Sequence, residues 1–200
     1  MLPTNTYVFI ETDTNSCVVI DPAYNSSKVV DFIVNNNLDL QGILLTHGHF
    51  DHCGGVEQLL EHKNVDVFGG SADAIMAQNA SRNQWGAHAR DCKITRYVNK
   101  LNKFTIGDFD FEVMETPGHT EGSVCYFCDE YMFSGDTLFD GCIGRTDLPG
   151  GDVSQMRQSL ERINKITFDY IVLPGHEGIT TMLEQKKYNP YLQMGVVQND

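Results

Sequence analysis

The sequence predicts an α/β fold made of two β-rich halves, each with helices on its outer face. Three observations predict it. Strand-like and helix-like stretches alternate through the first part of the chain. A run of short strands with tight turns follows from residue 94 onward. An amphipathic helix then closes the second half, as helices do the first. The 200 residues, 41% of them hydrophobic, suit one domain over 1–200 with a sizeable core.

Taken in order, Thr6 to Glu11 and Cys17 to Asp21 read as strands joined by the turn Asp13-Thr14-Asn15-Ser16. Ser26 to Asn37 reads as a helix. Ser26 or Ser27 is its cap, and Val29, Val30, Ile33 and Val34 form its apolar stripe. Ile43 to Leu45 is a buried strand, and Gly55 to Glu61 a helix with Val56, Leu59 and Leu60 inward. Val65 to Phe68 is a strand, after which Ser71 caps a helix over Ala72 to Gln78. Asn79 to Cys92, with Trp85, His88 and Arg90, is polar and irregular, as functional loops often are. Residues 94–98, 103–105, 109–115, 122–128 and 131–134 read as an antiparallel run. Asp152 to Ile166 is an amphipathic helix, Tyr170 to Leu173 a strand, and Thr180 to Lys187 a last short helix.

The stretch Thr46-His47-Gly48-His49-Phe50-Asp51-His52-Cys53-Gly54-Gly55 organises this frame. Imidazole is the commonest metal ligand and carboxylate its usual companion. His47 and His49, on alternate residues, can face one point, and Asp51 and His52 a second. Three later strands end in a glycine beside a metal-competent side chain: Pro117-Gly118-His119, Ser134-Gly135-Asp136 and Pro174-Gly175-His176. A lone histidine after a strand is a weak signal; the repetition at strand ends, where α/β sheets place their sites, makes it a strong one. Asp21, closing the second strand, is a candidate to hold a ligand histidine by its other ring nitrogen. His62 reads as a surface residue, and so does His88.

The bulk numbers exclude other classes. A net charge of −13 argues against a nucleic-acid partner. No apolar run approaches the ~20 residues of a membrane span. The N-terminus Met1-Leu2-Pro3-Thr4-Asn5 has no signal-peptide character, so the expected compartment is the reducing cytoplasm and the six cysteines are expected to be free thiols. Cys125 and Cys128, formally a C-x-x-C, fall in one strand and face opposite sides.

The set Thr-His-Gly-His-Phe-Asp-His, Pro-Gly-His-Thr, Ser-Gly-Asp-Thr-Leu-Phe and Pro-Gly-His-Glu resembles the metallo-β-lactamase superfamily, and within it the short members of the glyoxalase II (hydroxyacylglutathione hydrolase) group. The likeness runs from about Tyr7 to Leu192. It implies a four-layer αβ/βα sandwich with two divalent metals at one edge of the sheets. His47, His49 and His119 would hold the first metal; Asp51, His52 and His176 the second; Asp136 would bridge both with a water or hydroxide. Asp21 matches the family's aspartate behind the ligands. Zinc suits these N/O donors, and iron or manganese do as well.

Two departures bear on substrate. Full-length glyoxalase II enzymes carry a C-terminal helical extension that grips glutathione, for which a chain ending at Asp200 leaves no room. The stretch Gly141-Cys142-Ile143-Gly144-Arg145-Thr146-Asp147 resembles the corresponding loop of short glyoxalase II-like proteins and of persulfide dioxygenases, where the arginine contacts glutathione. Arg145, with Lys186 or Lys187, is thus the candidate partner of an anionic thiol. The activity implied is hydrolysis of a small-molecule thioester, such as S-lactoylglutathione or another hydroxyacyl thioester. A metal-activated hydroxide would attack the carbonyl carbon, and Asp51 could shuttle a proton. The thiolate leaves with little need of protonation. Three alternatives stand beside it: a persulfide dioxygenase with one iron on two histidines and an aspartate, a β-lactamase, and a metal-stabilised protein without catalysis. A monomer or small homo-oligomer is expected.

Overall fold

Strand pairing sorts the chain into two sheets. A computed structural model describes residues 3–83 and 88–193. The first sheet holds β1 (Tyr7–Glu11), β2 (Ser16–Ile20), β3 (Asp39–Leu44), β4 (Val67–Gly69) and β5 (Arg96–Tyr97), side by side in that order. The second sheet comprises β6 (Lys103–Ile106), β7 (Phe109–Glu115), β8 (Val124–Cys128), β9 (Tyr131–Gly135), β10 (Ile171–Pro174) and β11 (Thr180–Thr181), in the order β11-β10-β9-β8-β7-β6. The helices are α1 (Ser27–Asn35), α2 (Phe50–Cys53), α3 (Val56–His62), α4 (Ala74–Ala77), α5 (Val153–Asn164), α6 (Met182–Tyr188) and α7 (Pro190–Gln193).

Alternation along the strands builds the layers. In β2, Val18 and Ile20 face the second sheet, where they meet Phe109, Phe111, Tyr126, Phe133 and Leu173. Cys17 and Val19 face the other way, onto Ile33 of α1 and Val56 and Leu59 of α3. In β8, Tyr126 joins the central layer, while Cys125 and Phe127 pack outward on Met156, Leu160 and Ile163 of α5. The result is helix, sheet, sheet, helix: the expected αβ/βα sandwich. Each fully buried aliphatic or phenyl side chain between the sheets contributes about 1.5–3 kcal/mol, so that shared layer fixes how their edges meet.

Strand direction then places the site. β2 and β3 run parallel, so their C-terminal ends share one edge. β7 is antiparallel to β8 and β8 to β9, while β9 and β10 are parallel. The C-terminal ends of β7, β9 and β10 therefore share an edge of the second sheet. Thr46 O accepts the Val124 N–H (2.8 Å) and Leu45 O the Tyr126 hydroxyl (2.9 Å), tying that edge of the first sheet to β8.

Several local expectations need correction. The stretch read as 94–98 contributes β5, which pairs parallel with β4 in the first sheet instead of opening an antiparallel run. Hydrophobic pattern identifies a strand but not its sheet. Ser26 precedes α1, yet its hydroxyl is donated to Ala23 O (2.7 Å), so no side chain caps that helix. Ser71 likewise makes no side-chain cap; a 3-10 turn over Ser71–Asp73 precedes a shorter α4. Thr180–Thr181 pairs with β10, and α6 starts only after it, with Thr181 accepting the Glu184 N–H (3.2 Å). Trp85, within the irregular Asn79 to Cys92 stretch, lies outside the described residues. The six cysteines are free thiols, and Cys125 and Cys128 do face opposite layers. Among the described residues no helix is long and apolar enough to cross a membrane.

Candidate metal centre

Five strand ends deliver the site residues. Asp21 follows β2, the cluster from Thr46 onward follows β3, His119 lies beyond β7, Asp136 follows β9 and His176 follows β10. Part of the cluster is helical. His49 is the extended residue before α2, whose single turn carries Asp51 and His52. One turn is too short to leave a periodic signal. Two glycines let the backbones close in. Gly135 has φ +49°, and a Cβ there would lie 2.2 Å from Thr46 Oγ1. A Cβ on Gly175 would lie 2.3 Å from Asp136 Oδ1.

The seven predicted ligands converge. His47, His49 and His119 form one group and Asp51, His52 and His176 another, the donor atoms within each lying no more than 4.8 Å apart. The groups adjoin, with the His47 and His52 ring centroids 4.1 Å apart. Asp136 touches both: its Oδ2 lies 3.3 Å from His119 Nε2 and 3.4 Å from His176 Nε2, and its Oδ1 3.4 Å from His52 Nε2.

Hydrogen bonds outside the cluster fix the ring orientations. His52 Nδ1 donates to Asp21 Oδ2 (2.9 Å), His119 Nδ1 to Arg145 O (2.7 Å) and His176 Nδ1 to Pro3 O (2.8 Å). Asp21 also accepts the Thr46 N–H (2.7 Å) and hydroxyl (2.6 Å), so the Thr46 oxygen is left to accept from His47 Nδ1 at 3.1 Å. Asp21 itself stands at φ +48°, a conformation aspartate tolerates better than most residues. In all four rings Nδ1 is bound outward and Nε2 faces inward, where a metal would take its lone pair.

The inward atoms fit a divalent metal. His47 Nε2, His52 Nε2 and Asp136 Oδ1 are buried and have no hydrogen-bond partner, which a folded protein rarely tolerates. The carboxylate–imidazole separations at Asp136, together with 3.5 Å from Asp51 Oδ2 to His176 Nε2, are long for hydrogen bonds. They match the roughly 3.4 Å edge of a tetrahedron whose metal–ligand bonds are about 2.1 Å. The donors are nitrogen and oxygen only, as zinc, iron and manganese all accept.

Electrostatics divide the histidines. Burial, then the neighbouring imidazoles, hold His47 well below the usual range; burial and His119 bring His49 down to about 4. Both rings are neutral at pH 7, the form in which imidazole can bind a metal. Burial also disfavours charge on His52 and His176. For His52, Asp136 and then Asp21 outweigh it, raising the ring to about 9; for His176, Asp136 and Asp51 raise it to about 11. In Asp51 and Asp136 burial works upward but loses to the histidines, and both carboxyls sit below the usual carboxylate range.

The expected substrate contacts have other partners in this structure. The exposed Arg145 guanidinium makes two 2.7 Å bonds to Asp147, while its carbonyl serves His119. Lys186 Nζ donates to Ile166 O, and Lys187 Nζ sits 4.8 Å over the Tyr188 ring. His62 is exposed; His88, also exposed, stacks on Tyr24.

Sequence reasoning missed three supports. Asp73, 1% exposed, accepts the N–H groups of Gly48 (2.8 Å) and Gly122 (2.8 Å) and the Thr120 hydroxyl (2.7 Å). It thereby joins the His47–His49 turn to the His119 turn. Its available signal was a carboxylate shortly after a strand, the same signal that marks Asp136. The N-terminal segment is the second support: Thr4 Oγ1 donates to Asp51 Oδ2 (3.1 Å), Asn5 N to Gly175 O (2.7 Å) and the Tyr7 hydroxyl to Pro174 O (2.7 Å). The third is Phe139, whose ring meets His176 edge-on at 5.9 Å.

Known proteins resemble this chain in sequence and fold. The family profile of the metallo-beta-lactamase superfamily matches residues 1–176. The chain is 32% identical over 188 residues to hydroxyacylglutathione hydrolase GloC of Haemophilus influenzae, an alignment covering 90% of this chain and 89% of that one. Against the hydroxyacylglutathione hydrolase of Hahella chejuensis it is 37% identical but spans only 60% of that protein. Among solved structures, the BLEG-1 B3 metallo-beta-lactamase superposes with TM-score 0.88 at 32% identity, covering 94% of both chains. The di-iron-bound form of TTHA1623 does so with TM-score 0.85 at 32% identity, covering 96% of both. With its motifs, its sandwich and its paired donor groups, the chain belongs to the metallo-beta-lactamase superfamily, as a glyoxalase II-like member.

Proposed function

We propose that this protein is a dimetal hydrolase of small-molecule thioesters, with S-lactoylglutathione or another hydroxyacyl thioester as the substrate class. One observation carries the reading: Asp136 stands between two complete donor groups, an arrangement a purely structural metal site does not need. The likeness to GloC over nearly its whole length supports the substrate class. Two divalent cations held by His47, His49 and His119, by Asp51, His52 and His176, and by Asp136 between them would supply a Lewis acid and water acidified toward neutrality.

The chain's own residues do the rest. Asp21, Arg145 O and Pro3 O fix the tautomers of His52, His119 and His176. Asp51, its Oδ2 facing both His176 and the Thr4 hydroxyl, is placed to take and pass a proton. A thiolate, with a pKa near ~8.5, departs without the proton donor an amide would require. Six free thiols accord with a reducing compartment, and the activity is assigned to the cytoplasm.

A second reading, β-lactam hydrolysis, is favoured by the BLEG-1 likeness. One experiment separates these readings: metal content measured beside turnover of S-lactoylglutathione, other thioesters and a chromogenic β-lactam. About two metals per chain with thioester turnover is expected, and Asp136→Ala should lose at least one metal and about 100-fold or more in rate. One iron per chain with oxygen uptake, or β-lactam turnover alone, would replace the thioesterase reading.

A further inference from the structure

Beside the metal ligands opens a cleft of about 240 Å³. It is lined by His49 and Phe50, by Met76, and by Asn79, Ala80, Arg82 and Asn83. Three features give it a direction. Its inner end touches His49, so a group placed in it adjoins the reacting centre. Its middle is apolar, from Phe50 and Met76. Its lining includes the exposed Arg82, in a protein of net charge −13 where cations are scarce. Asp91 acts on Arg82 through charge, not through a hydrogen bond, its carboxylate accepting the Ser81 N–H (3.0 Å) instead. Arg145, by contrast, has its fork committed to Asp147.

Size and chemistry narrow the occupant. Drug-sized ligands take pockets of about 300–1,000 Å³, so this cleft is too small for a peptide thiol and suits a short acyl chain. Arginine at the end of an apolar channel recognises a carboxylate, through paired N–H donors. We propose that the cleft binds the acyl half of the substrate and that Arg82 receives a carboxylate at its far end, making thioesters of short dicarboxylic acids the preferred substrates. This inference rests on the thioesterase reading above and sharpens it. The reaction remains a hydrolysis: the C–S bond breaks, a C–O bond from water forms, and the water proton ends on the released thiol.

The test compares two glutathione thioesters of matched length, succinyl and butyryl, with the metal-loaded protein and its Arg82→Gln and Arg82→Glu variants. The wild type should favour the succinyl ester by about tenfold in kcat/KM. Arg82→Gln should lose about tenfold on the succinyl ester and stay within twofold on the butyryl ester. Arg82→Glu should deepen the succinyl loss and favour a 4-aminobutyryl ester. Equal rates on both esters in the wild type, or equal losses on both in Arg82→Gln, would overturn the assignment of Arg82 and leave the thioesterase reading standing. Turnover of neither ester, nor of any other thioester, by a fully metallated protein would overturn the thioesterase reading itself, and this inference with it.

Discussion

Asp73 shows how much of the centre depends on a residue outside it. Its two carboxylate oxygens take three donors, from Gly48, Thr120 and Gly122. Burial pushes its carboxyl above the usual value, and the three donors resist that push, so its charge is costly to bury and worth keeping only while all three bonds stand. Removing it orphans buried donors at about 1–3 kcal/mol each. Asp73→Ala should therefore cost about 3 kcal/mol or more and weaken binding at the His47/His49/His119 group, read by urea denaturation and metal titration. A variant with wild-type stability and wild-type affinity would show that the two turns are held by something else. The sequence made Asp21 legible because Ile20-Asp21-Pro22 marks a strand end; Asp73 was hidden within an apparent helix, Ala72 to Gln78, whose first turn is in fact 3-10. All seven converging side chains were legible as donor types, since imidazole and carboxylate announce their chemistry. The carbonyls of Arg145 and Pro3 were not, because any residue can supply one.

At the scale of elements, the connection from Phe139 to Arg145 is the piece that serves both donor groups. Phe139 packs on His176, and the Arg145 carbonyl holds His119. Helix α6 pins this connection from behind. Gln185, buried to 1% exposure, accepts the Gly141 N–H (2.9 Å) and an Asn189 N–H (3.0 Å), and donates to Asp140 (2.9 Å) and Thr180 (2.8 Å). Asn189 in turn donates to Cys142 O (3.0 Å). Gln185→Ala opens that network, so a loss of about 2–4 kcal/mol is expected. Looser binding of the metals should accompany it, measured by competition with a chelator. If stability fell while metal affinity held, the network would support the helix alone and not the centre. Element types were legible wherever periodicity ran for several residues, as in α1, α5 and β7. Short or non-local pieces were not. The one-turn α2 has no period to read, and β5 and β11 owe their existence to pairing with β4 and β10, which no local pattern encodes.

On the scale of the molecule, the centre is a seam between the sheets. The first sheet's edge brings Asp21, His47, His49, Asp51 and His52; the second brings His119, Asp136 and His176. Without metal, protons must hold that seam together. His52 and His176, raised to about 9 and about 11, bind protons more tightly folded than unfolded, where a histidine titrates near ~6.5. Their contribution is complete below the unfolded value and is lost as pH rises through the folded values. Asp51 and Asp136, both depressed, contribute above the ordinary carboxylate range and lose that contribution as pH falls below it. His47 and His49, held low, pull the other way as pH falls below ~6.5, where the unfolded chain takes up their protons and the folded chain does not. Metal-free protein should thus be most stable at about pH 6.5 and weaken steadily toward pH 9 and beyond. Metal competes with these protons, so its binding tightens over the same rise in pH and the loaded protein should keep its stability. Urea midpoints at pH 5.5, 7 and 9, with chelator and with metal, read both curves. Metal-free protein that grew more stable from pH 6 to 9 would mean that the carboxylates of one edge do not hold charged histidines of the other, and that the seam closes by apolar packing alone.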